Sequence, residues 1–339
     1  MAVLATAELG KKAEVLDVEL ERGGPSYTWE TLHLLRERYP EDELWLLMGS
    51  DMFLTLQDWR EPRQVMALAR IGAFSRLESG EEAAFARQKA FLEREYGADV
   101  TIIPNPQVVE LSSTEVRQTL AQGGGAELLP AAVYGYILRE RLYSTHRELT
   151  GLTPDELRPI ALSYLKPKRM PHVLGTEQEA VRLTRRYGGD ETQARIAALL
   201  HDCTKKLELP EQLALCKQYG IELDALEQRA LKLLHSKTGA AIARSVFGVE
   251  DAVYDAIWYH TTGKPDMTRL EKILYLADYI EPSRDFPGVE ELRKAVYEDL
   301  DHGLLLGLNM TIQEMEEMGN PVHHQTRDAR DYLLKRGIR

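Results

Sequence analysis

The chain is poor in cysteine and has no surplus of positive charge, and each shortage argues against a class of protein. Its 339 residues contain two cysteines, Cys203 and Cys216, too few for the disulfide framework of a small secreted protein. The formal net charge is −12. A nucleic acid is therefore not expected as the main partner, because its phosphates would be repelled by an acidic surface.

Long apolar runs are also missing. None reaches the ~18 residues that a membrane-spanning helix needs, so no membrane contact is expected. The first residues do not show the basic and then apolar layout of a signal peptide. The sequence therefore predicts a cytoplasmic protein. It does not define an oligomeric state, and a homodimer is one arrangement that it allows.

The two halves of the chain have different patterns. Compact apolar runs at 44–49, 71–74 and 100–103 alternate with helical patterns, which predicts buried parallel strands in an α/β fold. After about Tyr143 only helical patterns remain. We therefore predict an α/β domain over residues 1–147 and an all-α domain over residues 152–337. The second domain is predicted to contain helices at 153–165, 172–187, 190–203, 210–219, 224–234, 237–246, 250–259, 268–280 and 288–317.

The pair His201-Asp202 ends the apolar stretch ARIAALL in the second half. A histidine and a carboxylate at the buried end of a helix lose hydration unless something compensates. A divalent transition metal would compensate, because imidazole nitrogen and carboxylate oxygen are suitable ligands for it. Lys205 follows at helical spacing and is predicted to share the face of the pair, where it would bind a phosphate oxygen.

Four further segments each bring one polar side chain to an apolar stretch. His172 begins a helix, His235 ends ALKLLH, His260 ends AIWYH, and Asp278 lies inside ILYLADYI. Any one of these histidines alone would more often be a surface residue or a hydrogen-bonded core residue. Together they predict one metal site, with one ion or with two if His235 and His260 hold a second. Pro171 predicts that Met170, just before it, lies outside the helix.

The order His172, His201-Asp202, Asp278 resembles the H…HD…D pattern of the HD-domain phosphohydrolases. Residues 153–335 resemble the YqeK family of symmetrical diadenosine-tetraphosphate hydrolases within that group. The resemblance is carried by RMPHVLGTEQEA, AALLHDCTKKL, LLHSKTGAAIA, AIWYHTTGKPDMTRLEKILYLADYIEPSRDFPGV and NPVHHQT.

The resemblance implies a metal ion, iron first and manganese or another transition metal next, bound by His172, His201, Asp202 and Asp278. It implies that diadenosine tetraphosphate is the substrate and ADP the product. The implied catalytic residues are His235, His260, Lys205 and Asp202. The implied substrate contacts come from Arg169, Lys205, His235, His260, Thr261, Arg284 and the segment 321–326, including His323 and Thr326.

The first half resembles the nicotinate-nucleotide adenylyltransferases, NadD, which have a Rossmann-like nucleotidyltransferase fold. The resemblance is carried by DVELERGGPSYTWETL, LWLLMGSDMFLTLQDW, the pair SR at 75–76, ELSSTEVRQTL and LPAAVYGYILRERLY. Ser113 or Thr114 is predicted to cap a helix whose amides point at phosphate, and Trp59 offers a flat face to a pyridine ring. The residues implied in nucleotide binding are Thr28, Gly49, Asp51, Trp59, Arg76, Ser112, Ser113 and Arg117.

The H-x-G-H motif of the adenylyltransferases does not occur in this sequence. The resemblance also begins partway through the family's pattern, so the fold is expected to be incomplete. We therefore expect no adenylyltransferase activity from the chain as given, and the first half would then be a vestigial nucleotide-binding domain. Two alternatives to the hydrolase stay open: an adenylyltransferase of NAD biosynthesis completed by an upstream H-x-G-H loop, and a nucleotide sensor without catalysis.

Overall fold

The structure is a computed structural model that describes residues 1–74, 82–104 and 111–338. Its strands are β1 (Trp45–Gly49), β2 (Arg70–Phe74) and β3 (Val100–Ile102). Its helices are α1 (Ala2–Ala5), α2 (Val18–Arg22), α3 (Thr28–Arg38), α4 (Ser50–Leu54), α5 (Pro62–Leu68), α6 (Glu82–Tyr96), α7 (Ser113–Ala121), α8 (Ala131–Arg139), α9 (Pro154–Ser163), α10 (Met170–Tyr187), α11 (Glu191–Leu200), α12 (Leu209–Gln218), α13 (Leu231–Phe247), α14 (Asp251–Tyr259), α15 (Arg269–Ile280), α16 (Val289–Glu298), α17 (Leu300–Glu317) and α18 (His324–Lys335).

The smaller compact unit, Val15–Val116, contains a parallel sheet in the order β1-β2-β3. Leu46 pairs with Ile71, and Ile71 pairs with Val100. The middle strand buries three consecutive residues, as a parallel strand covered on both faces does. The predicted α/β character and the three predicted strands are confirmed.

The larger unit comprises Met1–Glu14 and Arg117–Arg339 and is helical among its described residues. It differs from the predicted domain 152–337 because α8 packs on α9. The two helices meet at Gly135, where an added Cβ would lie 1.9 Å from the carbonyl oxygen of Pro159. Among the described residues, no helix combines the length and apolarity needed to cross a bilayer.

Helices α10, α11 and α15 pack together in the core of this unit. Helix α11 begins where the Asp190 side chain accepts hydrogen bonds from the Thr192 and Gln193 amides, and it buries Ala197 to Leu200 before ending at His201. Helix α15 begins at a capping box of Thr268 and Glu271. The capped N-termini and the buried faces of these helices therefore determine where their histidine and aspartate side chains lie.

Local hydrogen bonds account for two of the differences from the predicted helices. Asp224 accepts hydrogen bonds from the Leu226 and Glu227 amides, so residues 224–230 of the predicted helix 224–234 are not α-helical and α13 begins only at Leu231. The predicted helix 288–317 is divided because Asp299 caps a new helix through the His302 amide. The helix α18 lies beyond the last predicted one.

The expectation that Met170 lies outside the helix was wrong. Met170 is the first residue of α10, and Pro171 follows it within the first turn. The missing amide hydrogen of proline has no cost there, because the first amides of a helix have no partner within the helix.

The contact between α8 and α9 makes Gly135 sensitive to substitution. We expect Gly135→Ala to lower the free energy of unfolding by about 3 kcal/mol, because backbone of both helices would have to move apart. Gly307→Ala is the matched control, since its Cβ would meet the Tyr279 ring at 3.4 Å, an ordinary contact. Urea denaturation followed by circular dichroism measures both. Equal stability of Gly135→Ala and the unsubstituted protein would contradict the close approach.

Candidate active site

Five helices of the larger unit bring histidine or aspartate to one place. His172 lies in the first turn of α10, His201 ends α11 with Asp202 next to it, and Asp278 lies on α15. His235 comes from α13 and His260 ends α14. The four histidines and Asp202 are buried, and Asp278 keeps 18% of its side chain exposed.

The inner cluster consists of His172, His201, Asp202 and Asp278. The Nε2 atoms of His172 and His201 are 3.4 Å apart, and His172 Nε2 is 2.9 Å from Asp278 Oδ1. Asp202 Oδ2 lies 3.6 Å from His201 Nε2 and 3.8 Å from His172 Nε2. His172, His201 and Asp202 therefore form one possible ligand group for a divalent ion, and His201 and Asp278 belong to a second group together with His260.

The outward hydrogen bonds of the two rings show which nitrogen is free. The Nδ1–H of His201 donates to the Ala198 carbonyl at 2.7 Å, and the Nδ1–H of His172 donates to Glu281 Oε1 at 3.0 Å. Both Nε2 atoms therefore present lone pairs to the carboxylate oxygens of the inner cluster. Lone pairs alone would repel one another, so this donor set fits a cation, and a divalent metal fits it well.

A second cluster lies on the other oxygen of Asp202. His235 Nε2 is 3.2 Å from Asp202 Oδ1 and 3.1 Å from His260 Nε2. The Nδ1–H of His260 donates to the Ile257 carbonyl at 2.7 Å, which leaves its Nε2 as an acceptor. Within the described residues Asp202 Oδ1 makes no hydrogen bond. The three side chains therefore have the donor types either for a second ion or for moving a proton.

Three of the buried histidines are neutral at physiological pH. Burial lowers the pKa of His201, of His235 and of His260 to about 4 in each case. Burial raises the pKa of both Asp202 and Asp278, but the neighbouring groups together outweigh it, led by His201 for Asp202 and by His172 for Asp278, and hold each carboxyl pKa well below its usual value. Neutral imidazoles and ionised carboxylates are the protonation states in which these groups bind metals.

Three cations border the two clusters. The Arg169 Nε–H donates to Asp202 Oδ2, and an Arg284 guanidinium N–H donates to Asp278 Oδ1 at 2.6 Å. Lys205 Nζ lies 3.0 Å from His235 Nε2 and 3.9 Å from Asp202 Oδ1. Each cation remains about a third exposed on its side chain, so each is accessible to an anionic ligand.

Glu281 is a site residue that was not predicted from the sequence. This fully buried carboxylate holds the Nδ1–H of His172 and also accepts from the Ser283 amide at 2.7 Å. Gly175 makes room for it, because a Cβ there would lie 2.4 Å from Glu281 Oε2. Its position three residues after Asp278, at the end of an apolar helix, was the available signal.

We expect Glu281→Gln to weaken metal binding about 10- to 100-fold, because the charge that orients His172 and raises its basicity is lost. Glu290→Gln is the matched control, since Glu290 is largely exposed on α16. Titration calorimetry with Mn²⁺ on the full chain measures both affinities. Equal affinities would show that the carboxylate charge has no role in metal binding.

The remaining residues implied for substrate binding belong to neither cluster. The Thr261 hydroxyl donates to Ser236 Oγ at 3.1 Å. His323 is buried at the start of α18, where its Nδ1 accepts from the Gln325 amide and its Nε2 lies 3.3 Å from Glu227 Oε1. Thr326 is buried one turn later. The His323 contacts tie the start of α18 to the turn at 224–229, and among the described residues His323 and Thr326 make no hydrogen bond or ion pair to the inner cluster.

The smaller unit carries most of the predicted nucleotide-binding residues of the first half. Thr28 begins α3, and Gly49 and Asp51 lie at the carboxyl end of β1, where α/β sheets bind ligands. Trp59 is partly buried and packs against the core of the unit, which supports a structural role for its ring. Arg76 lies outside the described residues.

The helix cap near residue 113 differs from the prediction. Ser112 Oγ accepts from the Glu115 amide at 3.2 Å, and Glu115 Oε2 accepts from the Ser112 amide at 2.7 Å. Ser112 is therefore the cap, and Ser113 and Thr114 are the first helical residues of α7. Arg117, in the larger unit, has its guanidinium 5.5 Å from the Tyr143 ring.

Comparison with known proteins finds one matching family and several similar proteins. The HD domain family matches residues 169–283. A protein of Halalkalibacterium halodurans named symmetrical bis(5'-nucleosyl)-tetraphosphatase is 37% identical over 179 residues, which cover 51% of this chain and 95% of that protein. A crystal structure of a predicted HD superfamily hydrolase involved in NAD metabolism, from Clostridium acetobutylicum, is 44% identical, with a TM-score of 0.53, and covers 55% of this chain and 98% of that one.

One relative spans both halves. A Mycoplasma pneumoniae protein named probable nicotinate-nucleotide adenylyltransferase/Ap4A hydrolase is 28% identical over 272 residues, 79% of this chain and 68% of that protein. The similarity to this Mycoplasma protein therefore extends over both the α/β part and the helical part of the chain.

Proposed function

We infer that this chain, which belongs to the family of symmetrical bis(5'-nucleosyl)-tetraphosphatases, hydrolyses diadenosine tetraphosphate to two molecules of ADP. The hydrolase is the helical unit. The observation that best supports this function is that five helices of the larger unit converge on the inner cluster and the second cluster, which share Asp202. Arg169, Lys205 and Arg284 border these clusters. A metal site beside three cations suits a substrate with many phosphate charges.

The larger unit binds a divalent metal. We propose His172, His201, Asp202 and Asp278 as its ligands and iron as the resident ion, because nitrogen and carboxylate donors suit iron; manganese would suit them as well. When bound, the ion would activate a water molecule and polarise a phosphoryl oxygen. The pair His235-His260 would complete a second ion site through Asp202 Oδ1, or else serve in proton transfer.

The cations would position the phosphate chain for attack at one of its two central phosphates. The water oxygen would bond to that phosphorus, the bond from it to the oxygen shared with the other central phosphate would break, and the electron pair would stay on that oxygen in the departing ADP. His260, whose Nδ1–H donates to the Ile257 carbonyl, would take a proton from the water at Nε2. Lys205 would neutralise charge that develops on the phosphoryl oxygens.

The test is the product pattern. Purified full chain with Fe²⁺ or Mn²⁺ should convert diadenosine tetraphosphate to ADP as the dominant product, and in ¹⁸O-water each turnover should place one ¹⁸O in one of the two ADP molecules. AMP with ATP would contradict symmetrical cleavage. Tight nucleotide binding without turnover in either metal would favour the nucleotide sensor. A cytoplasmic location and a homodimer stay predictions.

A further inference from the structure

A groove leads away from the inner cluster between α15 and α17. Its volume is about 650 Å³, within the ~300–1,000 Å³ range of small-molecule sites. His260, Asp278 and Arg284 line it where it meets the clusters. Anything bound there therefore has direct access to the reacting centre.

Beyond this polar end the groove is lined by aromatic and apolar side chains. The rings of Tyr279 and Phe286 have centroids 5.3 Å apart and planes tilted by 31°. The Thr311 hydroxyl donates to the Tyr279 hydroxyl, and Met310 adds a flexible apolar surface. Both rings are partly exposed and belong to the lining, so they can contact a ligand.

The groove then becomes acidic. Glu314 and Glu317 are also lining residues, and they lie about one and two turns further along α17 than Met310. Carboxylates accept hydrogen bonds from hydroxyl and amino groups but repel phosphate. The charges therefore orient a bound molecule, with its phosphates at Arg284 and its neutral hydrogen-bond donors toward Glu314.

A nucleoside phosphate has all the required parts. Its base has flat faces for the rings, its ribose has hydroxyl donors for a carboxylate, and its phosphates suit the arginine. A polyphosphate without a base would leave the aromatic wall unused, and an apolar ligand would leave Arg284 and the glutamates without partners.

We propose that this groove binds one nucleoside half of the dinucleotide, with Tyr279 and Phe286 against the base and Glu314 accepting hydrogen bonds from the ribose. The proposal rests on the hydrolase function proposed above, because it assigns one half of that substrate. The phosphate chain would run from Arg284 past the inner cluster toward Arg169 and Lys205.

The test compares binding of ADP with binding of pyrophosphate, which lacks the nucleoside. On Mn²⁺-loaded full chain, Phe286→Ala and Tyr279→Ala should each raise the Kd for ADP about 10-fold, because stacking on one ring contributes ~1–3 kcal/mol per base. The Kd for pyrophosphate should not change. Phe286→Tyr, which keeps an aromatic ring, should retain most of the ADP affinity of the unsubstituted protein. Tyr254→Ala is the control, since Tyr254 lies on α14 and stacks on Trp258 outside the groove lining.

Each other outcome is decisive. Unchanged ADP affinity in both variants would overturn the proposal, and so would an equal loss of affinity for ADP and pyrophosphate, which would place the effect on the phosphate end. A third result is that the variants lose ADP affinity selectively while the unsubstituted protein releases no ADP from diadenosine tetraphosphate. That result would uphold the groove assignment and overturn the proposed hydrolase function.

Discussion

Replacing His201 by alanine is expected to reduce hydrolysis of diadenosine tetraphosphate by about 10³-fold or more. His201 supplies one of the four converging lone pairs, and its ring is fixed by the Ala198 carbonyl. Loss of a metal that stabilises the transition state by several kcal/mol has an effect of this size, since each ~1.4 kcal/mol changes a rate tenfold. Release of ADP measures the activity, and elemental analysis of the purified protein measures the metal.

The control must separate loss of the site from loss of the fold. His201 is fully buried, so Asp202→Asn, which nearly preserves shape, should accompany the alanine variant. His302→Ala removes an exposed histidine on α17 and should keep both metal and activity. Retention of metal and at least a tenth of the activity in both site variants would rule out His201 and Asp202 as essential ligands.

The convergence of the clusters was predictable because a buried polar residue must find a partner. The sequence places His201, His235, His260 and Asp278 at or within apolar segments, and charged or hydrogen-bonding groups in such positions lose hydration unless they meet. The need for a polar partner applies to each of these four residues separately, and in the structure the four residues are one another's neighbours. The three strands were predictable for a similar reason, since short apolar runs between turns have few alternatives.

The parts that could not be predicted depend on contacts between residues distant in sequence. Glu281 meets His172 only because α10 crosses α15, with Gly175 leaving space at the crossing. The packing of α8 against α9 likewise depends on a close approach between Gly135 and Pro159. Short-range signals were missed where a polar side chain hydrogen-bonds to the backbone, as Asp224 and Asp299 do, because a helical pattern and a capped turn share the same residues.

Substitution of Lys205 is expected to separate the loss of phosphate binding from the loss of metal binding. It borders the second cluster at His235 but supplies none of the four converging lone pairs of the inner one. We expect Lys205→Met to lower kcat about 10²- to 10³-fold, the usual effect of removing one group that stabilises developing oxyanion charge. Metal content should remain that of the unsubstituted protein, in contrast to His201→Ala.

Lys206→Met is the matched control, because Lys206 adjoins Lys205 in sequence but its charged neighbours, Arg139, Glu140, Glu211 and Cys203, belong to neither cluster. Its kcat should be unchanged. Lys205→Arg should recover only part of the activity, since a planar guanidinium does not reproduce a compact ammonium beside His235. If Lys205→Met loses metal together with activity, the lysine acts by neutralising Asp202. If it raises KM and leaves kcat intact, the cation binds substrate and transition state equally, and stabilisation of the reacting phosphate must come from Arg169 and Arg284.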